Sequence, residues 1–214
     1  MTNNKMNCTC SNEKVYSKYI TEKTKNGTYI KPDTSSESKS YCPFDRTENL
    51  VSDYLYIGYL KNRGKDTDRE VISFIKENGM PYRKSAKLKT DKFAEDAEML
   101  YLHMCEVKTR PYPKSPEWVL EPSPVALIVD VIDNKTVIRW QTDSLAAAIE
   151  LGYTMLLGDN PCKLTICKKC GKPFYARNPK REFCSLGCRN NYNVQKFRAK
   201  NKTAQSALVR NVLT

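Results

Sequence analysis

The sequence lacks most of the residues and motifs by which enzyme active sites are recognised. Its 214 residues include one histidine, His103, so a histidine-based catalytic triad would depend on that residue alone. There is no P-loop, no Rossmann glycine motif and no H-E-x-x-H motif. No convergent set of acid, base and nucleophile is visible. The sequence therefore predicts that the protein is not an enzyme.

Long apolar runs are also missing. No stretch approaches the roughly 18 apolar residues that a membrane helix needs, and the first ten residues lack the apolar region of a secretory signal. Charged residues make up 28% of the chain, and the mean hydropathy is -0.64. We therefore expect a cytoplasmic protein that does not contact a membrane.

The positive charge is distributed unevenly along the chain. The net charge is +12, and residues 161–214 contain thirteen Lys or Arg residues against one acid, Glu182. The first 160 residues carry 23 basic and 23 acidic residues and are neutral. Such an asymmetry indicates a module that faces a polyanion, attached to an ordinary neutral domain.

The pattern of residues predicts a mixed α+β fold in which helices dominate. Four parts are expected: a flexible N-terminal segment (1–40), a mixed helical domain with a β-hairpin (41–160), a zinc finger with a basic helix (161–201) and a C-terminal tail (202–214). The first part is predicted to be loose because it is rich in Asn, Thr, Ser and Lys.

Within residues 41–160 the predicted elements follow from local signals. Thr67 and Glu70 form a capping-box pattern at the start of one helix, which Gly79 would end. A longer helix is expected from about Thr90, because apolar residues recur there at helical spacing. Two β-branched runs, 125–131 and 136–141, predict the hairpin, and Thr142-Asp143-Ser144 predicts the cap of the next helix.

Nine cysteines are many for a protein expected in the cytoplasm, where disulfides are rare. Four of them have the spacing C-x2-C-x13-C-x3-C: Cys167, Cys170, Cys184 and Cys188. Four thiolates complete the tetrahedral shell of a structural zinc site and leave no open position. We therefore predict one structural, non-catalytic Zn2+ ion. Four unligated thiols and an iron–sulfur cluster are the alternatives.

The other cysteines have no comparable spacing. Cys8 and Cys10 form a lone C-x-C pair and are predicted to be incidental thiols, and Cys42 has no close partner. Cys162 lies near enough to the cluster to replace one of its ligands.

The residues around the ligands predict a treble-clef zinc finger. Gly171 permits a positive φ after the first cysteine pair, and the 13-residue gap suits a short hairpin. Cys184 and Cys188 are four residues apart and would share one face of the first turns of a helix.

The segment CKKCGKPFYARNPKREFCSLGCRNNYNVQKFRAK resembles the CGNR-type zinc fingers of bacterial proteins that carry an N-terminal helical domain of the ABATE kind. Phe183-Cys184-Ser185 also matches FCS-type treble clefs. The resemblance covers about Asp143–Lys200, and the family's Cys-Gly-Asn-Arg signature here reads Cys188-Arg189-Asn190-Asn191. Members of the family look like transcription regulators, so the resemblance implies DNA binding.

The helix after Cys188 carries the candidate nucleic-acid contacts. Its predicted basic stripe is Arg189, Asn193, Lys196 and Lys200, with Gln195 and Arg198 in reach of base edges. Further predicted contacts flank this stripe: Lys168, Lys169, Lys172, Arg177, Lys180 and Arg181. The apolar residues of the helix, Leu186, Val194 and Phe197, are expected to pack on the hairpin or on the main domain.

We therefore predict a nucleic-acid-binding protein, with DNA preferred over RNA. Three alternatives stay open at this point. The basic surface could face an acidic protein, it could be an ordinary solvated face, or single-stranded RNA could stack on Phe174 and Tyr175.

Overall fold

The computed structural model describes residues 8–10, 13–82, 87–109, 125–132, 135–158, 164–178 and 180–212. Five α-helices lie within these ranges: α1 (Thr47–Asn62), α2 (Asp68–Asn78), α3 (Thr90–Thr109), α4 (Leu145–Gly158) and α5 (Leu186–Val212). The strands in the same ranges are β1 (Cys8–Cys10), β2 (Glu13–Tyr16), β3 (Tyr19–Thr24), β4 (Gly27–Pro32), β5 (Ser38–Tyr41), β6 (Leu88–Lys89), β7 (Val125–Ile132), β8 (Lys135–Thr142), β9 (Leu164–Ile166) and β10 (Pro173–Tyr175). The fold is mixed α and β, with small sheets arranged around the helices.

Helix α1 lies at the centre of the main core. Its buried residues include Leu50, Val51, Leu55 and Ile57, which cover more than one face, as expected for a helix with neighbours on several sides. It packs against α2, α3, α4 and β10. Because Gly58 has no side chain, α1 can approach the backbone of α3 closely at this residue.

The start of α2 differs from the predicted capping box. The helix begins after Thr67, but the Thr67 side chain makes no capping hydrogen bond and is buried. The Asp68 carboxylate instead accepts hydrogen bonds from the hydroxyl groups of Thr28 and Thr90, which join β4 and α3 to α2. The end of the helix is as predicted, with Gly79 at φ 89°.

Residues 13–41, most of which belong to the segment predicted to be flexible, contain four strands. Strand β4 lies between β3 and β6 in a three-stranded sheet. Its alternate residues Thr28 and Ile30 are buried, and Ile30 belongs to the main core. Strand β4 turns two residues inward, and only one of them, Ile30, is apolar. So short an alternation of buried and exposed residues is difficult to recognise in a polar sequence.

The predicted hairpin and the cap of the following helix are confirmed. Strands β7 and β8 pair antiparallel over their full length, and β1 adds to β8 in parallel. Helix α4 begins after Ser144, whose Oγ accepts a hydrogen bond from the N–H of Ala147 at 3.2 Å.

The core continues across the predicted domain boundary between residues 160 and 161. Strands β9 and β10 form an antiparallel pair beside α1. Leu164 is fully buried in the main core, and Ile166 and Tyr175 pack against it. The β9–β10 pair is therefore attached to the main core, while Cys167, Phe174 and Ala176 form a second, small buried cluster around the cysteines.

Helix α5 is longer than predicted. Its backbone runs to Val212, so the region from residue 202 onward, predicted as a tail, is helical as far as that residue. None of the helices in the described ranges has the length and apolar character needed to cross a membrane.

Candidate metal centre and basic surface

The structure brings the four predicted ligands into one cluster. The sulfur atoms of Cys167, Cys170, Cys184 and Cys188 all lie within 4.8 Å of one another. The Sγ–Sγ distance is 3.7 Å from Cys170 to Cys184 and 3.5 Å from Cys184 to Cys188. A tetrahedral metal with metal–sulfur bonds of about 2.3 Å requires sulfur atoms about 3.8 Å apart. The cluster can therefore hold one metal ion.

The first cysteine pair lies in the turn between β9 and β10. The N–H of Cys167 donates to the carbonyl of Lys172, and the N–H of Gly171 donates to the carbonyl of Cys167, both at 2.9 Å. Gly171 has φ 75°, the positive value predicted for it. The structure thus shows a tight knuckle closed by backbone hydrogen bonds.

The hairpin predicted inside the 13-residue gap is not found among the gap residues that the structure describes. The two strands lie on either side of the first cysteine pair, with β9 before Cys167 and β10 after Cys170. The reason is burial: β10 pairs with β9, whose Leu164 is held in the main core.

The second pair lies at the start of α5. Cys184 precedes the helix and Cys188 is in its first turn. Ser185 between them caps the helix, because its Oγ accepts the N–H of Cys188 at 3.1 Å and its carbonyl accepts the N–H of Arg189 at 3.2 Å. The cap holds both sulfur atoms toward the knuckle.

The cysteines of the cluster differ in how easily they ionise. Burial disfavours the Cys167 thiolate, but three backbone N–H groups, led by that of Cys184, and the Cys170 thiol outweigh it and lower the pKa of Cys167 to about 6. Burial and the surrounding thiols, led by Cys188, raise the pKa of Cys184 to about 12. Thiolates this close repel one another, and a bound dication removes the conflict.

Helix α1 contacts the knuckle, which is the turn that carries Cys167 and Cys170. The Tyr59 hydroxyl donates a hydrogen bond to the carbonyl of Cys170. A Cβ atom on Gly171 would lie 2.7 Å from the Tyr59 ring, so glycine is required here by contact as well as by φ. The Lys172 ammonium lies 4.3 Å from the centroid of the Tyr56 ring. Nothing local in the sequence signals these contacts, which join residues more than one hundred positions apart.

We expect Tyr59→Phe to weaken retention of the metal. The change removes the hydroxyl that binds the Cys170 carbonyl and leaves the ring against Gly171, at a cost of about 1 kcal/mol. The measurement is the rate of metal transfer to a chromogenic chelator, which should rise severalfold. Tyr29→Phe, at a tyrosine distant in sequence, is the control and should transfer metal at the wild-type rate. Equal rates in Tyr59→Phe and wild type would contradict a supporting role for α1.

The predicted nucleic-acid contacts divide into two groups. Four cations are used within the protein. Lys168 pairs with Glu182, Lys169 donates to Gln195 Oε1 at 2.5 Å, and Lys172 lies over Tyr56. Arg181 donates to the carbonyls of Phe183 (2.9 Å) and Cys184 (2.6 Å) and lies over the Phe174 ring.

The second group is exposed, and its members make no ion pair within the part of the chain that the structure describes: Arg177, Lys180, Arg189, Asn193, Lys196 and Arg198. The side chain of Lys200 lies outside the described residues.

The apolar residues of α5 are placed differently from the prediction. Leu186, Val194 and Phe197 were expected to pack on the protein, but they are 76%, 47% and 65% exposed. Among the described residues, α5 contacts the preceding segment through the rings of Phe183 and Tyr192, whose centroids are 5.1 Å apart, and through the hydrogen bond from Lys169 to Gln195. Phe174 is buried and offers no ring for stacking, and Tyr175 is half-buried against the main core.

The remaining candidates lie apart from this cluster. His103 Nδ1 is 2.7 Å from the Tyr153 hydroxyl, between α3 and α4. Cys42 is half-buried and lies outside the four-cysteine cluster. Cys8 and Cys10 lie on β1, which pairs with β8, and Cys162 lies outside the described residues.

The fold and site define a helix-rich α and β protein with a four-cysteine cluster that can hold a metal ion. Comparison of the chain with protein-family models, curated proteins and solved structures found no match. Its function is therefore argued from the cluster and from the basic surface beside it.

Proposed function

We propose that the protein binds one structural zinc ion in a treble-clef finger and binds nucleic acid, preferentially DNA, through the finger and α5, acting as a transcription regulator. The observation that carries nucleic-acid binding is a set of exposed cations that form no ion pair among the described residues. They lie in residues 161–214, whose charge of +12 equals the net charge of the whole chain. The role in transcription rests on the resemblance to CGNR-type fingers.

Zinc is the metal that the ligands favour. Four thiolates at tetrahedral spacing suit zinc in a reducing compartment. All four positions of the metal are occupied by protein, so a bound zinc ion would have no site for substrate. Its role is to hold the knuckle and the start of α5 together.

The charge beside the cluster is poorly compensated. Residues 161–214 contain one acid, Glu182, and its carboxylate is paired with Lys168. Arg177 and Lys180 on the finger and Arg189 and Lys196 on α5 point to solvent. A helix anchored by metal at its start presents these cations in a fixed arrangement, which favours contact with phosphates.

The test is the salt dependence of binding to labelled DNA. We expect Arg189→Gln with Lys196→Gln to weaken binding and to reduce the slope of log K against log salt by about one for each phosphate that the protein no longer neutralises. The matched control is Lys23→Gln with Lys25→Gln, which removes the same charge from exposed lysines on the N-terminal sheet. The control should bind like the wild type.

Two results would contradict the proposal. Equal loss of affinity in both double variants would show that only total charge matters. Co-purification of an acidic protein without measurable DNA binding would instead show that the basic surface faces a protein. An equal zinc content in all variants is required for the comparison.

A further inference from the structure

Two stripes of different chemistry run side by side along α5. Leu186, Val194 and Phe197 are eight and three residues apart, which places them on one face of the helix, and all three are exposed. Arg189 and Lys196 lie about a quarter turn away on the same helix. The helix therefore offers solvent an apolar stripe next to a cationic one.

A cleft of about 610 Å³ at the start of α5 combines the same two chemistries. Its lining includes the cations Lys180, Arg181 and Arg189 and the apolar side chains of Phe183 and Leu186. The one acid in the lining, Glu182, is paired with Lys168. The guanidinium of Arg181 binds neutral carbonyl groups, so its charge is not cancelled there. The cleft suits a ligand that carries phosphate together with a flat apolar surface.

We propose that α5 and this cleft bind single-stranded nucleic acid, with unpaired bases against Leu186, Val194 and Phe197 and phosphates along Arg189, Lys196 and Lys180. The inference rests on the proposed function and names its substrate class. Proteins that hold single strands combine a cationic track with exposed aromatic side chains on which bases stack. Phe197 is the aromatic residue of this stripe, and Leu186 and Val194 extend its apolar surface. In a duplex the base faces are stacked inside the helix and cannot cover these residues.

The apolar stripe could be covered by a second copy of the chain or by a single strand of nucleic acid, and the positive charge beside it favours the single strand. A second copy of the chain would bring a second strongly basic surface against the first, and the two would repel. A single strand supplies one negative charge for each base, so it matches both stripes at once. An acidic protein segment with apolar residues is the competing partner, which the experiment addresses.

The experiment uses the full-length, zinc-loaded protein and a fluorescent oligodeoxynucleotide of mixed sequence, as a single strand and as its duplex. We expect the single strand to bind about tenfold more tightly than the duplex. Phe197→Ser should weaken single-strand binding about tenfold, because one base can no longer stack on its ring. Leu186→Ser removes an aliphatic contact and should weaken single-strand binding by a smaller factor. Both should leave duplex binding nearly unchanged.

The control is Leu127→Ser, at an exposed leucine on β7, and it should bind both ligands like the wild type. Duplex binding equal to or tighter than single-strand binding would overturn this inference and leave the proposed function standing. This inference would also be overturned, with the proposed function left standing, if Phe197→Ser weakened the binding of both ligands equally or converted a dimer into a monomer. Absence of all nucleic-acid binding by the wild type, with capture of an acidic protein, would overturn both proposals.

Discussion

Replacing Cys184 with Ser is expected to reduce the zinc content from about one ion per chain to none. The sulfur of Cys184 lies 3.7 Å from that of Cys170 and 3.5 Å from that of Cys188, so it completes the ligand cage. A serine hydroxyl does not ionise near neutral pH and is a poor ligand for zinc. Structural zinc contributes about 10–16 kcal/mol to the folding of finger peptides, so the finger should unfold. Elemental analysis and circular dichroism provide the measurements.

The destabilisation should extend beyond the finger. Leu164, next to the knuckle, is buried in the main core, and Tyr59 of α1 binds the Cys170 carbonyl. We therefore expect the thermal transition of the main domain to fall as well. Cys42→Ser removes a thiol outside the cluster and serves as the control, with full zinc content expected. If the Cys184→Ser variant still bound one zinc ion per chain, Cys184 would not be a ligand.

Gly58→Ala is expected to destabilise the main domain by about 3 kcal/mol or more, the upper part of the range for overpacked cores. A Cβ atom at Gly58 would lie 2.1 Å from the carbonyl oxygen of Ala97 and 2.8 Å from the amide nitrogen of Glu98. These are backbone atoms of α3, which cannot rotate away as a side chain can. Helices α1 and α3 would have to separate and loosen the layer around Phe93 and Leu55. Urea unfolding gives the change in the free energy of unfolding.

The matched control is Gly158→Ala at the end of α4. A Cβ atom there meets no described atom within 4 Å, and Gly158 is not among the glycines with positive φ. The change should leave the free energy of unfolding within about 0.5 kcal/mol of wild type or raise it slightly. Equal effects of the two substitutions would show that α1 and α3 are not in close contact at Gly58.

Several elements could be predicted because their signals are local. Helix α2 ends where Gly79 stands, and the β7–β8 hairpin occupies the two β-branched runs. The capping hydrogen bond predicted for Thr67 is not formed, although the sequence has the capping-box pattern. The side chain of Thr67 is buried, and the neighbouring Asp68 is drawn to Thr28 and Thr90, which are distant in sequence.

The sequence by itself determined the four cysteines of the candidate metal site and the position of the excess charge. Ligand spacing and charge are properties of consecutive residues, so no folding information is needed to read them. The apolar residues of α5 could not be placed in the same way. Their helical spacing predicted packing, but the spacing of a stripe does not say whether another surface lies opposite to it.

Only the tertiary structure decided how the finger is held and what it leaves exposed. The hydrogen bond between Tyr59 and Cys170 joins residues 111 positions apart, and Ile30 reaches the core from a polar N-terminal segment. Leu186 and Phe197 stay exposed because no part of the chain that the structure describes covers them. Each of these depends on which distant surfaces meet, and that is settled by the packing of the whole chain rather than by any local pattern.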